Sequence, residues 1–366
     1  MRRTRRDFIR TGTAAGAAFG TVTDSPLGSA QPRGRVSMPT PRAKALMELF
    51  GLKYPIVEAP HGPGTTSPEL AIAICNAGAM GALALTSFSP VRAHDEVSRV
   101  RAGTRGNFFI NYFLALGNEP ESLKSALDAG APIVQFSWGL PGKGALSAVR
   151  AAGVKMGMQV TNAESARAAL DAGADYLVCQ GTEAGGHVQA SRGLYEGLPI
   201  VLGEAKGKPV IASGGIGNGQ GIRQALSAGA SGAMLGTRFV ATIECPAHPV
   251  YKREVVAARA RDTALTMCFQ DGWPALHRAL RNRTFVMWEA AGCPLPGKRP
   301  GEGEVVATRP DGTKVLRYFV APPNQGLQGR PEECGLYAGL SVEHVKDLPA
   351  AGELVHRLWH ECLAGA

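Results

Sequence analysis

The sequence predicts an α/β fold, a (β/α)8 barrel with helical and hairpin additions at its C-terminal side, and three observations carry that expectation. Eight short apolar runs are continuous rather than alternating, the pattern of parallel strands covered on both faces. A recurring phrase, an Ala-rich helix-like lead followed by a glycine and then an apolar run, separates many of them: NAGAMGALAL (76–85), DAGAPIVQF (128–136), AAGVKMGMQV (151–160), DAGADYLVCQ (171–180) and SAGASGAMLG (227–236). In each, the glycine suits the left-handed position just past a helix end. The chain of 366 residues, 45% hydrophobic, is long enough for a barrel of roughly 250 residues plus additions.

The eight runs, in order, are PIVEAP (55–60), MGALAL (80–85), FFINYF (108–113), PIVQFSW (132–138), KMGMQV (155–160), YLVCQG (176–181), PVIASGG (209–215) and GAMLGT (232–237). An open, doubly wound sheet is the runner-up, and it would leave two or three of these runs without a place. Beyond about Cys245 the pattern changes. Tyr251 to Thr284 reads as helical, 303–320 as two extended runs around an Asp311-Gly312 turn, and Ser341 to Leu363 as a final helix. The expected division is a targeting segment (1–30), a linker (31–42), a barrel core (43–243) and C-terminal additions packed beside or over the barrel mouth (244–366).

The first thirty residues hold five arginines against Asp7 and Asp24, supplying +3 of the formal +9. The apolar run from Thr11 to Val22 is too short for a bilayer of ~30 Å. Thr4-Arg5-Arg6-Asp7-Phe8-Ile9-Arg10 resembles the twin-arginine export signal, and Gly28-Ser29-Ala30 offers small residues for signal cleavage. The expectation is export in folded form by the twin-arginine machinery, to the periplasm. The remaining charge forms no long basic run, which argues against a nucleic-acid partner. Seven widely spaced cysteines without a Cys-x-x-Cys suggest neither a disulfide framework nor a zinc site. His356 and His360, at i and i+4, have no obvious third ligand, so no metal is expected.

In a barrel, site residues belong at strand C-terminal ends or in the loops that follow. SGGIGNGQG (213–221) after the seventh run and Leu235-Gly236-Thr237 at the end of the eighth make a phosphate cradle of backbone N–H groups, with a helix starting near Gly219 pointing its positive end at the same spot. The dinucleotide fingerprint G-x-G-x-x-G fails, since its third glycine would fall on Gln220. After the sixth run comes QGTEAGGHVQ (180–189), in which Gly185 and Gly186 suggest close approach to a ligand and His187 faces it with a pKa near neutrality. Neither a Gly-x-Ser-x-Gly elbow nor a His-Glu-x-x-His motif competes.

The string QGTEAGGH, with ASGGIGNGQGIRQALSAGASGAMLGTRFVAT (212–242), EAPHG (58–62), the Asn111 strand and FSWGLP (136–141), strongly resembles the flavin-dependent nitronate monooxygenases. The likeness runs from about Ala43 to Arg283. It implies a non-covalent FMN whose phosphate lies on Gly214, Gly215, Gly236 and Thr237, with Asn111, Gln159, Gln180, Ala184 and Gly185 around the ring and ribityl chain. Ala59, His61, Gly186, Met234 and Leu235 complete the implied flavin-binding set, and His187 is the implied catalytic residue. The implied reaction is oxidation of alkyl nitronates, such as propionate 3-nitronate, with O2 to a carbonyl compound and nitrite. Here His61 stands where the family usually has methionine, and Val188-Gln189 replaces a commoner Arg-Gly. Related barrels act as NAD(P)H-dependent quinone or enoyl-thioester reductases, and a non-enzymatic flavin carrier is a third alternative. The oligomeric state is open.

Overall fold

The computed structural model describes residues 38–62, 64–117 and 120–365. The export segment, and the linker up to residue 37, lie outside the described residues. The eight expected runs become eight parallel strands: β1 (Ile56–Glu58), β2 (Gly81–Ala84), β3 (Phe108–Phe113), β4 (Ile133–Ser137), β5 (Lys155–Val160), β6 (Tyr176–Gln180), β8 (Val210–Ser213) and β9 (Gly232–Leu235), with a two-residue strand β7 (Gly186–His187) outside the barrel. Their order is β1-β9-β8-β6-β5-β4-β3-β2. A parallel bridge from Val57 to Met80 brings the last strand back to the first. At that seam the Glu58 carboxyl accepts from the Ala82 N–H at 2.8 Å, doing for β2 what a ladder carbonyl would do.

The helices between the strands start and stop for readable reasons. Ser67 and Ser89 cap α2 (Pro68–Asn76) and α3 (Pro90–Gly103), each with proline in the first turn, and Asn162 with Ser165 forms a reciprocal capping box on α6 (Ala163–Asp171). The five phrase glycines, Gly78, Gly130, Gly153, Gly173 and Gly229, all have φ between 65° and 100°, so a side chain there would strain the turn from helix to strand.

Two cores result. Strand side chains facing the helices form one. The other fills the barrel with Val57, Met80, Ala82, Phe109, Ile133, Tyr176, Val178, Ile211 and Met234, closed from below by Leu46 and Phe50 of α1 (Pro41–Phe50). Gly157 makes room for the largest of these, because a Cβ there would lie 2.0 Å from Tyr176 Cζ.

Two expectations for the C-terminal third need correction. Only α10 (Pro249–Ala257) of the 251–284 stretch is a long helix; it is followed by an antiparallel hairpin, β10 (Thr263–Thr266) and β11 (His277–Leu280), before α11 (Arg283–Ala290). The hairpin forms because β11 finds a partner in β7, pairing His277 with His187 and Arg278 with Gly186. The final helix, α12, runs from Ala351 to Ala364, ten residues later than expected, since Pro349 disfavours helix in the residues before it. It packs on α8 (Gly219–Ser227) and α2, the place of the barrel's eighth helix, so residues 244–350 are inserted between the eighth barrel strand and that helix. The Asp311-Gly312 turn does join two extended runs, β12 (Val305–Thr308) and β13 (Lys314–Leu316).

Candidate active site at the barrel mouth

At the C-terminal strand ends, amide side chains replace the apolar ones below. Tyr176 donates to Gln135, Gln135 to Asn111 and Asn111 to Ser137, a chain of buried polar groups crossing the upper barrel. One level up, Gln159 donates to Gln189 at 3.1 Å and to Gln180 at 3.4 Å. Gln180 accepts from the Gln189 N–H and donates to the His187 carbonyl, so the glutamine at the end of β6 ties down both ends of the stretch that presents the histidine.

The rest of the 180–189 loop is explained mostly by structure. The Glu183 carboxylate accepts from the Leu194 N–H and caps α7 (Leu194–Glu204). Gly185 allows a close backbone approach, but the visitor is the inserted segment: a Cβ there would lie 2.4 Å from the Gly339 nitrogen. Gly186 has φ +73° and supplies the left-handed turn just before His187.

His187 is half-buried, its Nε2 has no hydrogen-bond partner, and its ring stacks on Trp273 at 3.8 Å with 26° between planes. The His277 ring lies 5.2 Å away. Burial, with His277 adding to it, pushes the His187 pKa down to about 3. The expected value near neutrality is therefore corrected: the imidazole is neutral above that pH because too little water reaches it to solvate a charge. His277, donating Nδ1–H to the Ala275 carbonyl and accepting from the Phe269 N–H, is neutral as well.

On the other side of the mouth, Gly214 (φ +119°) and Gly215 (φ +71°) follow β8, and Gly236 follows β9. A Cβ on Gly236 would sit 3.4 Å from Ala59 and 3.7 Å from the His61 ring. The helix expected behind this cradle does begin at Gly219, but its N-terminus is taken. The Gly219 N–H donates to Glu361 of α12 and the Gly221 N–H to Asn218, so the positive end of α8 is capped by the chain itself. What remains for an anion is the glycine backbone. Thr237 accepts from the Gly339 N–H, Met234 points into the barrel core, and Leu235 packs outward against the helices. Ala184 is buried in a small cluster with Val188 and Ala190.

His61 donates from Nε2 to the Gly236 carbonyl at 3.0 Å. Its Nδ1 and Glu58 Oε1 are both buried without hydrogen-bond partners and face each other at 3.8 Å. Burial raises the Glu58 pKa well above the carboxylate range and lowers that of His61 to about 4. The pair is a neutral carboxylic acid facing a neutral imidazole.

Several mouth residues escape sequence reasoning. Trp273, His277 and Tyr337 come from the insertion, where no periodicity marks them, and Gln189 appeared only as a departure from a family pattern. Trp138 sat within the quoted FSWGLP string without a role.

The family model and the relatives similar in sequence agree on one family. The model for the nitronate monooxygenase family matches residues 43–126 and 117–361. A nitronate monooxygenase from Pseudomonas aeruginosa is 30% identical over 362 residues, covering 86% of this chain and 97% of that protein. Among solved structures, a nitroalkane oxidase from Streptomyces ansochromogenes aligns with a TM-score of 0.69 at 30% identity over 88% of this chain and 98% of the other. A mutant of FabK from Thermotoga maritima aligns with a TM-score of 0.71 at 26% identity over 88% and 96%. With the barrel, the glycine cradle and the histidine after β6 in place, the chain belongs to the nitronate monooxygenase family of oxidoreductases.

Proposed function

We propose that the protein is an FMN-dependent nitronate monooxygenase, oxidising alkyl nitronates with O2 to a carbonyl compound and nitrite, with His187 as the catalytic residue. The residues fit the cofactor. Gly214, Gly215 and Gly236 leave backbone open at adjacent strand ends for one phosphate, and Asn111, Gln159 and Gln180 offer amides to the polar edge of a flavin ring. A single cradle favours FMN over FAD. Bound flavin would supply the electron acceptor for the substrate and the partner for O2.

The observation that carries the reading is the unpartnered Nε2 of His187, a buried nitrogen on a residue that follows the left-handed turn at Gly186 and whose carbonyl is held by Gln180. Leaving such a group unpaired costs ~1–3 kcal/mol, a cost that a bound substrate relieves. As a neutral imidazole it can accept the α-proton of a nitroalkane, or donate to an oxygen of a nitronate if the proton sits on Nε2. An anionic substrate beside it would raise its pKa again.

The test is oxygen uptake by the FMN-loaded protein and its His187→Ala variant, with a neutral nitroalkane, its pre-formed nitronate, propionate 3-nitronate, and NADH with a quinone. A larger loss on the neutral nitroalkane supports the base role; equal losses leave His187 as an orienting residue. Turnover only with NADH would replace the monooxygenase reading by a reductase. Export by the twin-arginine machinery is part of the same proposal, supported by the Arg5-Arg6 motif. Replacing Arg5 and Arg6 by lysine should leave active holoenzyme in the cytoplasm, and an exported double variant would refute it.

A further inference from the structure

Three aromatic rings from three separate elements converge above His187: Phe113 at the end of β3, Trp138 after β4, and Trp273 in the loop between β10 and β11. Trp273 meets Phe113 at 4.1 Å and Trp138 at 4.7 Å, both edge to face, and Phe113 meets Trp138 at 6.0 Å. All three are only partly buried, so this is a lining and not a core.

The arrangement is held in place from outside. Trp138 has φ +63°, a conformation a bulky residue rarely adopts, and its N–H donates to Gln189 Oε1 at 3.3 Å. Two residues before Trp273, the Asp271 carboxylate takes both arms of the buried Arg299 guanidinium at 2.8 Å each, and the Asp271 backbone pairs with Tyr318 and Val320. The loop that carries Trp273 is thus pinned by the insertion's own ion pairs, and its indole is laid flat against the imidazole.

The charges nearby are turned away or absent. Arg278, adjacent to His277, sends Nε to the Thr182 carbonyl and Nη1 to Thr263. Glu183 caps α7, and His187 and His277 are both neutral at physiological pH. Ring faces carry partial negative charge and offer dispersion to flat apolar groups, so they welcome a ring and repel a carboxylate.

We propose that the aromatic wall formed by Phe113, Trp138 and Trp273 selects nitronates bearing an aryl or other planar apolar group, and disfavours those that carry a second negative charge. This rests on the nitronate chemistry proposed above. The nitronate end lies toward His187 and the amides of Gln159 and Gln180, and the organic group lies against the exposed side of the packed rings.

The test compares kcat/KM of the FMN-loaded enzyme for the nitronates of phenylnitromethane and 1-nitropropane and for propionate 3-nitronate. The aryl nitronate should exceed propionate 3-nitronate by about tenfold or more, ~1.4 kcal/mol of discrimination. Trp273→Ala and Trp273→Leu should each shrink that ratio severalfold, with thermal midpoints confirming that both variants fold. A higher kcat/KM for propionate 3-nitronate, or a ratio unmoved in both variants, overturns the proposal. Calorimetric binding of benzoate and succinate separates the aromatic wall from the chemistry, since a carboxylate resembles a nitronate in shape and charge. Tighter benzoate binding that depends on Trp273 supports the wall's role even if no nitronate is oxidised, an outcome that would sink the monooxygenase reading alone. Equal or tighter succinate binding overturns it.

Discussion

His61 and His187 stand on opposite sides of the same barrel mouth, and each keeps one buried ring nitrogen without a hydrogen-bond partner. Burial depresses both pKa values, to about 4 and about 3. What separates them is what surrounds the idle nitrogen. At His61 it faces the carboxyl of Glu58 at 3.8 Å, and the other nitrogen holds the Gly236 carbonyl, so the ring is fastened at one end and faces a neutral acid at the other. Around His187 stand Trp273, His277 and Tyr337, none of which satisfies Nε2. Burial of both rings therefore leaves one anchored through its second nitrogen and the other without a side-chain hydrogen bond. The neighbours decide which.

The comparison can be broken from either side. The largest effect belongs to His187→Ala, which should lower turnover of a neutral nitroalkane by roughly 10²–10⁴-fold and leave flavin content near wild type. If flavin is lost instead, His187 is an anchor too. His61→Leu should do the reverse. It frees the Gly236 carbonyl and leaves the Glu58 acid without its neighbour, costing ~1–3 kcal/mol of stability and weakening retention of the proposed flavin, read by thermal unfolding and by flavin fluorescence on dilution. Unchanged retention would remove His61 from the cradle.

A third prediction concerns acid. His61, His187 and His277 have lower pKa values folded than unfolded, so the unfolded chain binds more protons between pH 6.5 and the folded values of about 4 and 3. Their contribution to stability is present above pH 6.5 and is lost as the pH falls through that window. The thermal midpoint should decline there, less steeply in His187→Gln. The smallest effect is that of Glu58→Gln. Glu58 has a raised folded pKa, so its contribution is full below about pH 4.5 and is lost as the pH rises toward the folded value. The amide keeps an acceptor for the Ala82 N–H and removes the titration, so the variant should gain on wild type as the pH rises from 5 to 9. A wild-type advantage that grows with pH would mean Glu58 is ionised in the native state.

The sequence by itself determined the barrel, the order of its strands and the position of His187. Each is written locally: continuous apolarity over four to six residues marks a strand buried on both faces, a glycine past a helix end must take positive φ, and a residue just beyond a strand's C-terminus lands at the mouth. Other features depend on residues distant in sequence. Glu361 reaches back 142 positions to the Gly219 N–H, His277 comes beside His187 through a two-residue pairing, and α12 packs on α8 and α2 after a long insertion. Trp273 reaches the mouth on a loop whose own residues have no strand or helix period. Such contacts leave no local pattern, because their energy is realised only when both partners have been placed by the rest of the fold. Tertiary structure alone therefore decided that one histidine ring would be hydrogen-bonded and the other left without a hydrogen-bond partner on Nε2 beneath an aromatic roof.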